Sequence, residues 1–152
     1  MPIAIRPRRS VLYMPGSNAR ALEKARTLAA DALILDLEDA VAPDAKEAAR
    51  ELVTAAVKAG GYGKREIAIR VNALSTPWGA EDFKAAAEAK PDAILVPKVS
   101  SADEMNDIAR MLASVGADAK TRIWIMIETA VSAFRLEQIA DPDQGLFVRQ
   151  GR

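Results

Sequence analysis

The chain has 152 residues, half of them apolar and 28% charged, a composition that suits one globular domain with its own core. It contains no cysteine and no histidine, which excludes disulfide scaffolds, thiolate zinc sites, cysteine nucleophiles and the usual imidazole base. Its 21 basic and 21 acidic residues balance, no run approaches the roughly 20 apolar residues of a membrane span, and "MPIAIRPRRS" lacks the apolar core of a secretion signal, so a cytoplasmic protein with neither nucleic acid nor membrane as partner is expected.

Val11–Met14 is the first short apolar run. "SNARALEKARTLAA" follows as a helical stretch, with Ser17 and Asn18 as N-cap candidates. The second run, Ala32–Leu37, leads directly into "DLEDAV". "PDAKEAARELVTAAVKAGG" then reads as a helix with Asp44 as N-cap, Glu47 three residues on, and a stop at Gly60-Gly61. Glu66–Val71 is the third run. After it, "STPWGAEDFKAAAEAKPD" places Thr76 before Pro77 at the favoured first helical position and ends before Pro91. Ala93–Val96 is the fourth run, followed by "SSADEMNDIARMLASVGAD", with Ser101 and Glu104 in capping-box spacing and Gly116 as the stop. Arg122–Ile127 is the fifth run, and a last helix is expected over about Ser132–Ala140.

None of the runs alternates cleanly with polar residues, which suits strands buried on both faces. The strand–helix alternation predicts a parallel sheet with right-handed crossovers. Two α/β architectures fit: an open doubly wound sheet, or part of a β/α barrel. A complete eight-stranded barrel takes about 250 residues. Against the open sheet, no glycine-rich phosphate loop follows the first run; "MPGSNAR" has a lone Gly16.

Polar residues close the last four runs: Asp36, Glu38 and Asp39, then Arg70 and Asn72, then Lys98, then Glu128 and Thr129. In parallel α/β folds the carboxyl ends of the strands share one face, where ligands bind. The predicted mouth therefore gathers carboxylates beside an arginine and a lysine. A set of this kind is also compatible with a purely structural ion-pair network. The oxygen-rich, histidine-free donors suit Mg²⁺. Arg70 suits a bidentate grip on a carboxylate or 2-oxo acid, and a metal there acts as a Lewis acid toward a carbonyl. Lys98 leaves a Schiff-base aldolase open, which requires a lowered lysine pKa.

"RRSVLYMPGSNARALEKA", "DALILDLEDAVAPDAKEAAR", "IAIRVNALSTPWGAEDF", "ILVPKVSSADE" and "IWIMIETA" closely resemble the HpcH/HpaI aldolase and citrate lyase β-subunit superfamily, in collinear order over about residues 8–140. The Arg-Ser-x-Leu-Tyr-x-Pro-Gly opening resembles its CoA-thioester lyase branch more than its pyruvate aldolases. The resemblance implies a partial (β/α)8 TIM barrel of about five to six units. It also implies a Mg²⁺-dependent carbon–carbon lyase that cleaves a 3-hydroxy-acyl-CoA to an acyl-CoA and a 2-oxo acid, and a homo-oligomer. Glu128 matches the first metal-ligand position. Arg70 matches the arginine that holds substrate oxygens. Glu38 and Asp39, with Asp36 beside them, match acidic positions next to the metal. Lys98, and Lys24 and Arg20 for the CoA phosphates, are the further substrate-binding candidates.

The end departs from that pattern. "DPDQGLFVRQGR" offers a possible sixth strand in "GLFV" but no second metal-binding Asp after it. Residues 1–152 are accordingly expected to be the N-terminal part of one barrel domain, lacking its C-terminal half and with little or no lyase activity. A class II pyruvate-type aldolase without CoA, and a non-catalytic remnant or binding partner, are the alternatives.

Overall fold

The computed structural model describes residues 6–141. Five strands, β1 (Val11–Pro15), β2 (Ala32–Asp36), β3 (Glu66–Arg70), β4 (Ala93–Val96) and β5 (Arg122–Ile125), alternate with helices. They form one parallel sheet in the order β1-β2-β3-β4-β5. The helices are α1 (Ala19–Ala25), α2 (Lys46–Ala59), α3 (Gly79–Ala89), α4 (Ala102–Ser114), α5 (Ala130–Phe134) and α6 (Leu136–Ala140), with a short 3-10 turn over Pro43–Ala45.

The strand order never reverses, so the crossovers wind one way and keep the helices on one side. The burial pattern agrees. Leu33, Leu35, Ile67, Ile69, Ile94 and Val96 share one apolar cluster with Leu22, Val53, Phe83, Met105 and Ile108 of the helices. The alternate residues Ile34, Ala68, Ala93 and Leu95, with Trp124 and Met126, form a second cluster built only from strand residues and their immediate extensions. A strand with helices on one face and other strands' side chains on the other reads as continuously apolar, which explains the absence of alternation in the sequence. A doubly wound sheet places helices on both faces. The five β/α units are thus wound like the first part of a barrel.

The elements depart locally from the sequence reading. Asn18 caps α1, accepting from the Ala21 amide at 3.0 Å, but the helix stops at Ala25. Asp44 does not cap α2; it lies inside the 3-10 turn that Pro43 starts, and α2 begins without a side-chain cap. Pro77 is not the first residue of α3, which starts two residues later at Gly79. There the Ala73 carbonyl oxygen lies 2.3 Å from where a Cβ would stand, a position only glycine can fill. Ser101 caps α4 as expected, while the Glu104 carboxylate reaches back to Ser100. The expected last helix is two short ones: a reciprocal cap between Thr129 and Ser132 starts α5 at Ala130, and the backbone leaves the helical conformation at Arg135 before α6 begins. "GLFV" and the residues after it lie outside the described residues.

Candidate active site

Asp36 and Arg70 close β2 and β3 and are direct partners in the parallel register. Counting back by twos, Asp36 follows Ile34 and Arg70 follows Ala68, so both side chains continue the inner, strand-only face. That placement forces a charged pair into the interior: Asp36 is 1% exposed and Arg70 7%. They meet as a bidentate fork. Arg70 Nε donates to Asp36 Oδ1 at 2.6 Å and Nη2 to Oδ2 at 2.7 Å. Asp36 also accepts the Glu38 and Ala40 amides, each at 2.9 Å. Burial disfavours the Asp36 carboxylate, but the Arg70 and amide hydrogen bonds outweigh it and hold its pKa below the ordinary value. Burial likewise opposes the Arg70 charge, and the bonds to Asp36 outweigh it, raising the guanidinium pKa.

The outward nitrogen of Arg70 faces the next two carboxylates. Nη1 stands 3.2 Å from Glu38 Oε2 and 3.7 Å from Asp39 Oδ2. The Glu38 contact is close enough for charge attraction but not aligned as a hydrogen bond, so Glu38 Oε2 is a buried oxygen without a hydrogen-bonding donor. The Tyr13 ring lies under the guanidinium at 4.8 Å, and Met126 Sδ is 3.8 Å from Nη1.

Lys98 joins the remaining pieces. Its Nζ donates to Glu38 Oε1 at 2.6 Å, and its backbone N–H donates to Glu128 Oε1 at 2.8 Å. The hydrogen bond to Glu38 raises the ammonium pKa, which opposes the lowered value that a Schiff-base lysine needs. Asp36, Glu38, Asp39, Arg70, Lys98 and Glu128 therefore form one linked constellation at the carboxyl ends of β2 to β5. Lys24 and Arg20 do not join it: both lie exposed on α1 and make no side-chain hydrogen bond or ion pair among the described residues.

Beneath the mouth stand Lys46, Asp82 and Arg50, which the sequence reading missed, and Asn72, which it named only as a strand-end residue. Lys46 is buried, donates to the Leu37 and Glu38 carbonyls at 3.0 and 2.7 Å, and lies 5.5 Å from the Trp78 ring. Asn72 binds the Leu37 carbonyl at 2.9 Å and Asp82 Oδ2 at 2.6 Å, and Arg50 closes on the other Asp82 oxygen at 2.6 Å. These bonds fix the turn that carries Glu38. A signal existed: Lys46 falls in step with the buried Ala49 and Val53 at i, i+3 and i+7, and Asp82 with Ala86 and Ala89.

A hard cation fits the donor chemistry. Among the described residues no group of three carboxylates converges, but Mg²⁺ takes only one or two carboxylates and keeps water and substrate oxygens. The exposed Glu128 is held at one oxygen by an amide, lies within the field of the Lys98 ammonium and forms no close ion pair among the described residues, and Glu38 keeps an oxygen without a hydrogen-bonding donor. Among the described residues no helix is long and apolar enough to cross a membrane.

The family model for HpcH/HpaI aldolase/citrate lyase matches residues 9–149. A (3S)-malyl-CoA thioesterase of Cereibacter sphaeroides is 49% identical over 134 residues, covering 88% of this chain and 45% of that protein. The citrate lyase subunit beta of Escherichia coli is 34% identical over 146 residues, covering 93% and 48%. Among solved structures, the citrate lyase beta subunit from M. tuberculosis complexed with oxaloacetate and magnesium superposes with a TM-score of 0.72 at 28% identity, covering 93% of this chain and 57% of that one. The chain spans about half the length of the curated relatives it matches.

Proposed function

The chain belongs to the HpcH/HpaI aldolase/citrate lyase family, and we propose that it carries the substrate-gripping half of a Mg²⁺-dependent lyase acting on a 3-hydroxy-acyl-CoA. Residues 1–152 are then the N-terminal part of a single barrel domain. Arg70, fixed by Asp36 and stacked on Tyr13, turns Nη1 toward the mouth and binds the carboxylate of the 2-oxo acid half of the substrate. Glu128 holds the cation, with Glu38 and Asp39 beside it to orient bound water. When present, the cation withdraws charge from the substrate carbonyl. Lys98 adds positive charge at the rim. Arg20 and Lys24 remain proposed contacts for the CoA phosphates, on their exposed helix alone. The oxaloacetate and magnesium of the M. tuberculosis relative support the ligand class.

The single observation that carries the reading is the buried Asp36–Arg70 fork, with one guanidinium nitrogen left facing the carboxylate-lined mouth. A buried pair of this kind is expensive to desolvate, and a site for an anionic ligand accounts for it.

One relative favours a second reading. The 49%-identical protein is a thioesterase, so hydrolysis of the thioester competes with carbon–carbon cleavage. Incubating the chain with malyl-CoA and Mg²⁺ separates the two: a lyase releases glyoxylate and acetyl-CoA, and a thioesterase releases malate and free CoA thiol. With one carboxylate at the described mouth outside any close ion pair, we expect slight turnover, in the lyase direction, that disappears in Glu128→Ala. Brisk turnover indifferent to Glu128→Ala overturns the metal assignment.

A further inference from the structure

Lys98 carries a backbone conformation that nothing in the secondary structure demands. Its φ is 56°, in the left-handed region that side chains with a Cβ rarely adopt. Lys90 also has positive φ, but it closes α3 as a left-handed cap. Lys98 closes no helix. Local strain of this kind persists where surrounding contacts over-determine it, and the contacts are in place. From this backbone Lys98 sends its amide to Glu128 Oε1 and its Nζ to Glu38 Oε1. A single residue thereby ties the loop after β2 to the end of β5.

The consequence falls on Arg70, and it rests on the function proposed above. Asp36 occupies Nε and Nη2, which leaves Nη1 as the nitrogen that faces the mouth. Glu38 Oε2 is buried, lacks a hydrogen-bonding donor and stands 3.2 Å from that nitrogen. Left to itself, a buried carboxylate with an orphaned oxygen closes on the nearest cation. Lys98 Nζ holds the other oxygen, Oε1, at 2.6 Å. We propose that Lys98 is a positioning residue: by holding Glu38 from one side and Glu128 through its own amide, it keeps the Glu38 contact with Arg70 Nη1 an unaligned ion pair that the carboxylate of an incoming 2-oxo acid can displace.

The test uses pyruvate as probe, titrated with Mg²⁺ present into the unaltered chain and into Lys98→Gly, Lys98→Met, Arg70→Ala and the double variant Lys98→Met/Glu38→Gln. Lys98→Gly keeps the backbone amide and relieves the positive φ, so its melting temperature is expected to equal or exceed that of the unaltered chain. Its pyruvate affinity is expected to fall roughly tenfold, the worth of one charge-assisted hydrogen bond. Lys98→Met is expected to bind as weakly, and Glu38→Gln in that background to restore affinity, because an uncharged amide does not cap the guanidinium. A merely structural lysine lowers stability and shows no such rescue. Unchanged affinity in Lys98→Gly, or no recovery in the double variant, overturns the proposal. Pyruvate binding that survives Arg70→Ala, or is absent from the unaltered chain, overturns instead the functional reading beneath it.

Discussion

Replacing Asp36 by Asn tests the buried fork directly. The side chain keeps its size, but the site loses its negative charge, and one of two acceptor oxygens becomes a donor. Whichever oxygen it replaces, that donor meets both an Arg70 N–H and a backbone amide, of Glu38 or of Ala40, all of which now point at Asp36 within 2.9 Å. Arg70, 7% exposed, retains only Glu38 at 3.2 Å and the distant Asp39 as counter-charges. Stripping one partner from a buried pair costs about 3–5 kcal/mol, and the residual pull of Glu38 places this case near 3 kcal/mol. For a chain of this size that lowers the melting temperature by very roughly 6–12 °C. Urea unfolding followed by circular dichroism measures it. The double variant Asp36→Leu/Arg70→Met, with no buried charge left at these positions, is expected to regain most of the loss. A cost under about 1 kcal/mol for Asp36→Asn, in the range of an exposed pair, refutes the claim that the fork is a buried, dry interaction.

Two further outcomes follow from the same geometry. Gly16→Ala places a Cβ 2.4 Å from the Asp36 carbonyl oxygen and 2.8 Å from Val53 Cγ2; it is expected to cost about 1–3 kcal/mol in urea unfolding and to weaken pyruvate binding by shifting β2. Acid lowers stability through carboxylates whose folded pKa is depressed: the contribution of Asp36 is complete above its ordinary value of 3.8 and is lost as pH falls through its lower folded value. Asp31, held to about 2 chiefly by its hydrogen bond to the Arg9 side chain, loses its contribution between pH 3.8 and about 2, so a stability–pH curve should drop below pH 4 and drop less steeply, but still drop, in Asp36→Asn.

The sheet and its mouth were legible because continuous apolar runs punctuated by charge record strands buried on both sides. Asp36, Glu38, Asp39, Arg70, Lys98 and Glu128 were all readable as strand-end residues. Their pairing was not. That Asp36 faces Arg70 follows from register across β2 and β3, which no local pattern encodes. The positive φ of Lys98 leaves no trace in its residue type, since such positions usually advertise themselves with glycine or asparagine. Asp44 looked like a cap because its spacing to Glu47 is correct, but Pro43 starts a tighter turn first. Lys46 and Asp82 went unremarked although their helical phase placed them inward.

The central claim is that a guanidinium and a metal-binding carboxylate open onto one mouth and act on one ligand. Calorimetric titration of Mg²⁺, alone and in the presence of pyruvate, tests it on the unaltered chain and on Glu128→Ala. The account predicts that pyruvate strengthens Mg²⁺ binding in the unaltered chain and that Glu128→Ala abolishes both the binding and the coupling. Equal Mg²⁺ binding by the two proteins, or binding indifferent to pyruvate, contradicts it.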